Sequence, residues 1–251
     1  MSIRNRIIYY LLKFSIFNIC HESKIWKNHK QHPSEEINKI ILPPFFPKND
    51  IIKNDFVTNY RNIEKLDFQI GKLINQLKND GLYDKTIIFF YSDHGGPFPR
   101  YKRSIYDTGL KCPLIIKWDK KTNGKRNNQM ISFIDLAPTI IELSGGKAPK
   151  NMEGVSFYNS ENRDYIFAAT DRFDEFTDRR RCIRSKNFKL IFNYDTTSSI
   201  MQPVSYRKNM KTMNVLDSLN NINSLSDDLK NWYKKSKRKN FNNWCLWPNW
   251  F

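Results

Sequence analysis

The sequence predicts an α/β chain: a mixed or parallel sheet with flanking helices, then a small C-terminal antiparallel sheet. Three patterns carry that expectation. Ile87-Ile88-Phe89-Phe90 is a short continuous apolar run, as expected of a buried parallel strand. Before it, Phe56, Tyr60, Ile63, Leu66, Ile70, Leu73 and Leu77 recur at three- and four-residue steps, the spacing of an amphipathic helix. Past about residue 160, Tyr165-Ile166-Phe167-Ala168-Ala169 reads as a strand, and Cys182-Ile183-Arg184 and Phe188 to Phe192 flank Ser185-Lys186-Asn187 as a hairpin. The expected division is therefore 1–158 for the α/β part and 159–251 for a small subdomain with an antiparallel sheet and a polar tail.

The long helix has start and stop signals. Asn54 or Asp55 is expected to cap its N-terminus, and Asp80-Gly81 to end it with a left-handed residue. Helix, short turn and the Ile87 strand make half of a βαβ unit. Before this helix, Pro43, Pro44 and Pro47 each remove a backbone donor and mark an extended surface connection. After the Ile87 strand, Pro113 to Trp118 reads as a second buried strand. Asp135-Leu136-Ala137-Pro138 opens a helix through Ile140, Ile141 and Leu143 that Ser144-Gly145-Gly146 stops, with Asp135 at the end the helix dipole favours. At the N-terminus, Arg4 and Arg6 precede Ile7 to Leu12 in the manner of a signal peptide. Lys13 interrupts that run and no small-x-small site follows, so Phe14 to Cys20 is read as a buried strand instead. The segment is too short and broken to span a membrane. The final stretch, with Trp244, Trp247 and Trp250, fits no element.

With 251 residues the chain is long enough for a sizeable core. Its formal net charge of +17 suits nucleic acid, an anionic membrane or an anionic glycan as partner, or reflects a Lys/Asn/Ile bias in composition. No Cys/His finger spacing and no RNP-type aromatic strand is present, so nucleic acid is not the expected partner. Cys20, Cys112, Cys182 and Cys245 are widely spaced with no CxxC pair, which argues against a zinc site or a dense disulfide scaffold.

The chemistry is expected where the Ile87 strand ends. There, Tyr91-Ser92-Asp93-His94-Gly95-Gly96 sets a carboxylate beside an imidazole at a Gly-Gly turn, at the sheet edge where ligands of open α/β folds bind. Lys102, Tyr106, Gly109 and Pro113 follow.

This ordered set resembles the sulfatase family of the alkaline-phosphatase-like superfamily. Tyr91 to Gly95, Lys102 to Gly109 running into Pro113 to Trp118, and Ser132 to Thr139 carry the resemblance. Tyr165-Ile166-Phe167 with Thr170 to Glu175, Arg181 to Arg184 and Lys189 to Tyr194 resemble the heparan N-sulfatase branch. The match runs from about Phe14 to about Leu229, with His21 to Trp26 as a degraded form of the family's Pro-His-x-Pro-Trp turn. The SDHG segment alone is shared with related phosphodiesterases and mutases.

The resemblance implies hydrolysis of sulfate esters or N-sulfates, with a sulfated glycan or other sulfate ester as partner and calcium as cofactor. It implies Asp93 and His94 as metal ligands, and Lys102 as the sulfate contact that stabilises charge growing on the oxygens as the S–O bond breaks. His21 is the candidate acid for the leaving group. Glu175 matches a substrate-contacting acid, and Arg172 and Arg181 could hold glycan sulfates or carboxylates as forks. Arg100 and Arg103 read as surface charges or as supports behind the site. The family's Cys-x-Pro-Ser-Arg nucleophile motif and first acidic metal pair have no counterpart in this sequence. The chain therefore resembles the second half of a sulfatase catalytic domain, inactive alone, with the missing N-terminal half a possible partner. A non-catalytic binder of sulfated polyanions and a phosphodiesterase-like relative remain as alternatives. Members of the family are lysosomal, secreted or periplasmic; the compartment of this chain is left open.

Overall fold

The computed structural model describes residues 8–12, 31–118, 124–158, 163–195 and 198–234. Two three-stranded sheets organise it, in the orders β1-β2-β3 and β4-β5-β6.

In the first sheet, β1 (Ile8–Leu12) pairs parallel with β2 (Thr86–Tyr91), and β3 (Leu114–Lys117) pairs antiparallel on the other side of β2. The sheet is thus mixed, and the crossover from β1 to β2 contains the long helix. The parallel partner of β2 is Ile8–Leu12; the strand expected at Phe14 to Cys20 lies outside the described residues. The central position of β2 explains its continuous apolar run: Thr86 to Phe89 are all buried. By contrast β3, expected to be buried, is an edge strand that leaves Ile115 63% exposed. Its inward residues Leu114 and Ile116 pack with Ile87, Phe89 and Phe157 against Leu136, Ile140 and Leu143.

Those last three belong to helix α4 (Leu136–Leu143), whose entry depends on Asp135. This 1%-exposed carboxylate accepts from Ser132 N at 2.9 Å and Val155 N at 2.8 Å, and takes the guanidinium of Arg163 with both oxygens. One side chain thus caps the turn before the helix and ties it to two later segments.

Helix α2 (Asp50–Asn79) starts one turn earlier than the sequence suggests. Its cap is Asn49, which accepts from Ile51 N at 2.9 Å and Ile52 N at 3.4 Å. Asn54 and Asp55 are instead buried inside the helix, where they serve other segments. Asn54 accepts from His32 N, just ahead of the short helix α1 (Ser34–Asn38), at 2.9 Å. Asp55 accepts from Thr212 N at 2.9 Å and Thr212 Oγ1 at 2.6 Å. Thr212 opens helix α5 (Lys211–Asn221), so one helix supplies the N-terminal partner of another. At the far end of α2, Gly81 takes φ +65° as expected.

Residues 198–234, expected from sequence to belong to a polar tail, are folded. They contain a 3-10 turn at Ser205–Asn209, α5, and α6 (Asp227–Tyr233). Their Met210, Met213, Leu216, Leu229 and Trp232 join Phe46, Ile52, Phe56 and Phe98 in the largest buried cluster. Its centre is a stacked pair, Phe56 and Phe98, with centroids 3.9 Å apart. The sparse polar-looking sequence hides this packing because only one narrow face of each short helix is apolar.

The second sheet contains β4 (Ile166–Phe173), β5 (Phe176–Arg184) and β6 (Lys189–Asn193), all antiparallel. The expected hairpin turn is present, closed by Ser185 N donating to Phe188 O at 2.8 Å. No helix among the described residues is long and apolar enough to cross a membrane.

Replacing Asp55 by Ala leaves two buried donors of Thr212 unmet. Unfolding in urea should show a loss of about 2 to 3 kcal/mol; an unchanged midpoint would mean that α5 does not depend on α2 for its cap.

Candidate functional site

Ser92 to Gly96 leave the end of β2, and the chain then doubles back through a tight loop to α3 (Asp107–Leu110). Two glycines make this possible. A Cβ on Gly95 would stand 1.8 Å from Thr108 O, and one on Gly109 2.2 Å from Ser104 O and 2.4 Å from Tyr101 O. Without side chains, Gly95 N reaches Gly109 O at 3.0 Å and Lys102 N reaches Gly96 O at 2.9 Å. Arg100 O accepts from Ser104 Oγ at 2.6 Å and Thr108 Oγ1 at 2.5 Å. Arg100, Arg103 and Asp174 hold positive φ values of 70°, 65° and 56°, conformations non-glycine residues rarely take. Asp107 fastens the loop to the second sheet through Lys189 at 2.7 Å and Arg184 at 3.2 Å.

The doubled loop encloses one side of an open pocket of about 280 Å³. Asp93, His94, Arg103 and Cys112 line it from the loop, Phe133 from the turn before α4, and Thr170 and Arg172 from β4. The His94 tautomer is set by its neighbour: Nδ1 lies 2.7 Å from Gly95 O, a carbonyl that can only accept, so Nδ1 carries the hydrogen. Nε2 then faces Asp93 Oδ1 at 3.5 Å.

Arg103 Nη2 pairs with Asp174 Oδ1 at 2.5 Å, and its guanidinium lies 4.8 Å from the centroid of Tyr206. Arg103, read from sequence as a surface charge or a support behind the site, lines the pocket itself. Arg100 is packed over the rings of Phe45, Tyr106 and Trp232. Cys112 is half-buried; burial pushes its thiol above the ordinary value, with the Ser92 hydroxyl pulling it back, so it is a poor thiolate at neutral pH.

The structure brings together some of the residues expected from sequence and separates others. Asp93, His94 and Arg172 line the pocket. Arg172 also donates to Asp174 O at 3.2 Å and Glu175 O at 3.3 Å, which orients its fork along the β4–β5 turn. Lys102 is adjacent but does not line this pocket: it is 8% exposed, with its ammonium 5.9 Å from the Tyr206 ring centroid. Glu175 points its carboxylate at Ser205 N, 2.8 Å away, and backbone hydrogen bonds lower its pKa. Arg181 is bound to Asp171 at 2.9 Å and Thr170 O at 3.0 Å on the outer strand face. His21 lies outside the described residues. Arg103 and Phe133 lie inside segments that carry the resemblance and Cys112 just before one, yet none of the three was singled out for the pocket; Arg103 holds a positive φ, which is not visible in sequence.

Calcium prefers about six to eight oxygen ligands. Among the described residues, no group of three or more His, Cys, Asp or Glu is placed to hold a metal ion. Asp93 with His94 therefore does not by itself fit calcium.

The profile of the family described as Sulfatase matches residues 19–146, and that described as N-sulphoglucosamine sulphohydrolase, C-terminal, matches residues 96–239. The chain belongs to the sulfatase family. It is 42% identical over 203 residues to an ulvan-active sulfatase of Formosa agariphila, an alignment covering 79% of this chain and 34% of that protein. It is 28% identical over 105 residues to human N-sulphoglucosamine sulphohydrolase, covering 41% of this chain and 21% of that protein. The chain thus spans about a third or less of these sulfatases' length. Among solved structures, a 2-O GAG sulfatase aligns over 85% of this chain and 58% of its own, with TM-score 0.53 and 17% identity. The yidJ protein of Bacteroides fragilis aligns over 84% and 52%, with TM-score 0.54 and 20% identity. These neighbours show that the α/β fold is that of sulfatases. The Asp93-His94 turn at the end of β2 lines one pocket with Arg103 and Arg172.

The glycine requirement is directly testable. Gly109→Ala should lower stability by about 1 to 3 kcal/mol through overpacking and open the 96–110 loop to limited proteolysis. Unaltered stability and cleavage would show that the loop has another way to close.

Proposed function

We propose that this chain supplies the anion-holding side of a sulfatase site and, by itself, binds sulfated glycans without hydrolysing them. The observation that carries this reading is the pocket that Asp93 and His94 line together with Arg103 and Arg172. A sulfate monoester or sulfamate offers several oxygens to such a pair of guanidinium forks. Lys102, next to Arg103, contributes positive charge behind them, and Arg172 suits a second sulfate or carboxylate on a neighbouring sugar. Phe133 is 48% exposed at the rim, and its apolar face can take a sugar ring. The substrate class is that of the relatives, polysaccharide sulfates with a preference for the N-sulfated glucosamine type, since the C-terminal match is to that branch.

Turnover requires a nucleophile that forms a sulfated intermediate. None of the four cysteines stands in a Cys-x-Pro-Ser-Arg context, and Cys112, the one in the pocket, is held as a thiol. The positive net charge of +17 favours the binding role at low salt. Calcium would find in Asp93 and His94 two ligands of a larger shell, and its affinity for this chain alone is accordingly low.

Two measurements test this. Titration of a heparin-derived oligosaccharide should show binding that weakens about tenfold or more in Arg103→Ala, by loss of about 1.5 kcal/mol or more from a charged hydrogen-bonding partner, with no sulfate released over the same period. Sulfate release that survives purification and disappears in Asp93→Asn would overturn the non-catalytic half of the reading, and binding unaffected by Arg103→Ala would overturn the pocket assignment. Millimolar calcium should leave the melting temperature unchanged; a saturable rise lost in Asp93→Asn would show a complete metal site.

A further inference from the structure

Behind the loop, separate from the open pocket, lies a cavity of about 10 Å³ lined by three arginines, Arg100, Arg180 and Arg207, together with Ser104 and Tyr106. Two of these arginines are almost wholly enclosed: Arg207 is 1% exposed and Arg180 5%. A guanidinium stays charged in a protein, so burial without a counter-charge costs several kcal/mol. Arg180 has one carboxylate, Asp178, at 2.7 Å, while its Nε is buried with no hydrogen-bond partner. For Arg207, no carboxylate among the described residues lies within ion-pair distance. Its Nη2 donates to Lys102 O at 2.8 Å and its Nε to Tyr206 Oη at 3.1 Å, and its plane lies 4.7 Å from the centroid of Phe173. The carboxylates closest in sequence and sheet position are already engaged, Asp174 by Arg103 and Asp178 by Arg180. Among the described residues, Arg180 and Arg207 thus share one ion-paired carboxylate, Asp178, beside a space about the size of one water.

We infer that this cavity is a binding site for a monatomic anion of the chloride class, held between Arg180 and Arg207. The size excludes a tetrahedral oxyanion, and the surplus of buried guanidinium favours an anion over neutral water. The ion neutralises Arg207, which grips the Lys102 carbonyl, and so links anion occupancy to the position of the loop that carries Lys102 and Arg103. This site is distinct from the sulfate pocket and does not depend on the reading given for it.

The test is thermal unfolding of the full chain at fixed ionic strength while sodium chloride replaces sodium gluconate, whose anion is too large to enter. The melting temperature should climb with the logarithm of chloride concentration, by about 3 to 5 °C for each tenfold beyond half-saturation, and Arg207→Met should abolish the dependence. Identical melting of the unsubstituted chain in both salts would overturn the proposal, as would a chloride effect that persists undiminished in Arg207→Met. Should that variant not fold, crystals of the unsubstituted chain soaked in bromide decide the matter: an anomalous peak within hydrogen-bonding distance of Arg207 and Arg180 supports the site, and its absence from that cavity refutes it.

Discussion

The close approach of two backbone segments, Gly95 against Thr108 and Gly109 against Ser104 and Tyr101, governs the rest of the site. It is a steric constraint before it is a chemical one. Because neither position tolerates a Cβ, the chain leaving β2 can fold back on itself within about one helical turn's width. That return brings residues 103–112 beside residues 92–96. The acid and imidazole at the strand end thus line one pocket with a guanidinium from ten residues on, which linear spacing alone does not bring about. The same fold presses Phe98 onto Phe56, so the loop is fixed to the core and not merely draped across it.

From that anchor the two sheets are joined through charge. Asp107 bonds Lys189 and Arg184, and Asp174 bonds Arg103, each reaching from one sheet's loops to the other's. Removing one member of such a half-buried pair leaves the other short of a partner, so these contacts specify the mutual arrangement more than they add stability. Arg207 continues the chain of contacts from the C-terminal segment to the Lys102 carbonyl. The pocket itself is lined by three parts of the sequence that lie far apart: the loop after β2, the turn before α4 and strand β4.

Much of the architecture was legible because it is local. The β2 run, the α2 periodicity, the Asp135 entry to α4 and the Ser185 hairpin turn all express their patterns within a few residues. Asn54 and Asp55 misled because a helix interior and a helix cap use the same residue types; tertiary partners at His32 and Thr212 claimed them. The segment after Asp195 read as a tail because its Met-rich faces are thin and polar residues separate them, yet α2 covers those faces. Of the residues the resemblance named, Asp93, His94 and Arg172 line the pocket, while Glu175 and Arg181 bond Ser205 N and Asp171. Arg103 joins the first three there because a side chain's surroundings depend on which segment lands beside it.

On the proposed function, one contiguous surface made of residues 92–96, 103–112 and 170–174 would receive the sulfated ligand, gathered there by the fold-back at Gly95 and Gly109. Backbone amide NMR of the chain titrated with an N-sulfated glucosamine oligosaccharide examines this most directly. The expected result is that shift changes concentrate in those three segments and saturate together with a single affinity. Changes spread evenly over the basic surface, or confined to residues outside those segments, would contradict it.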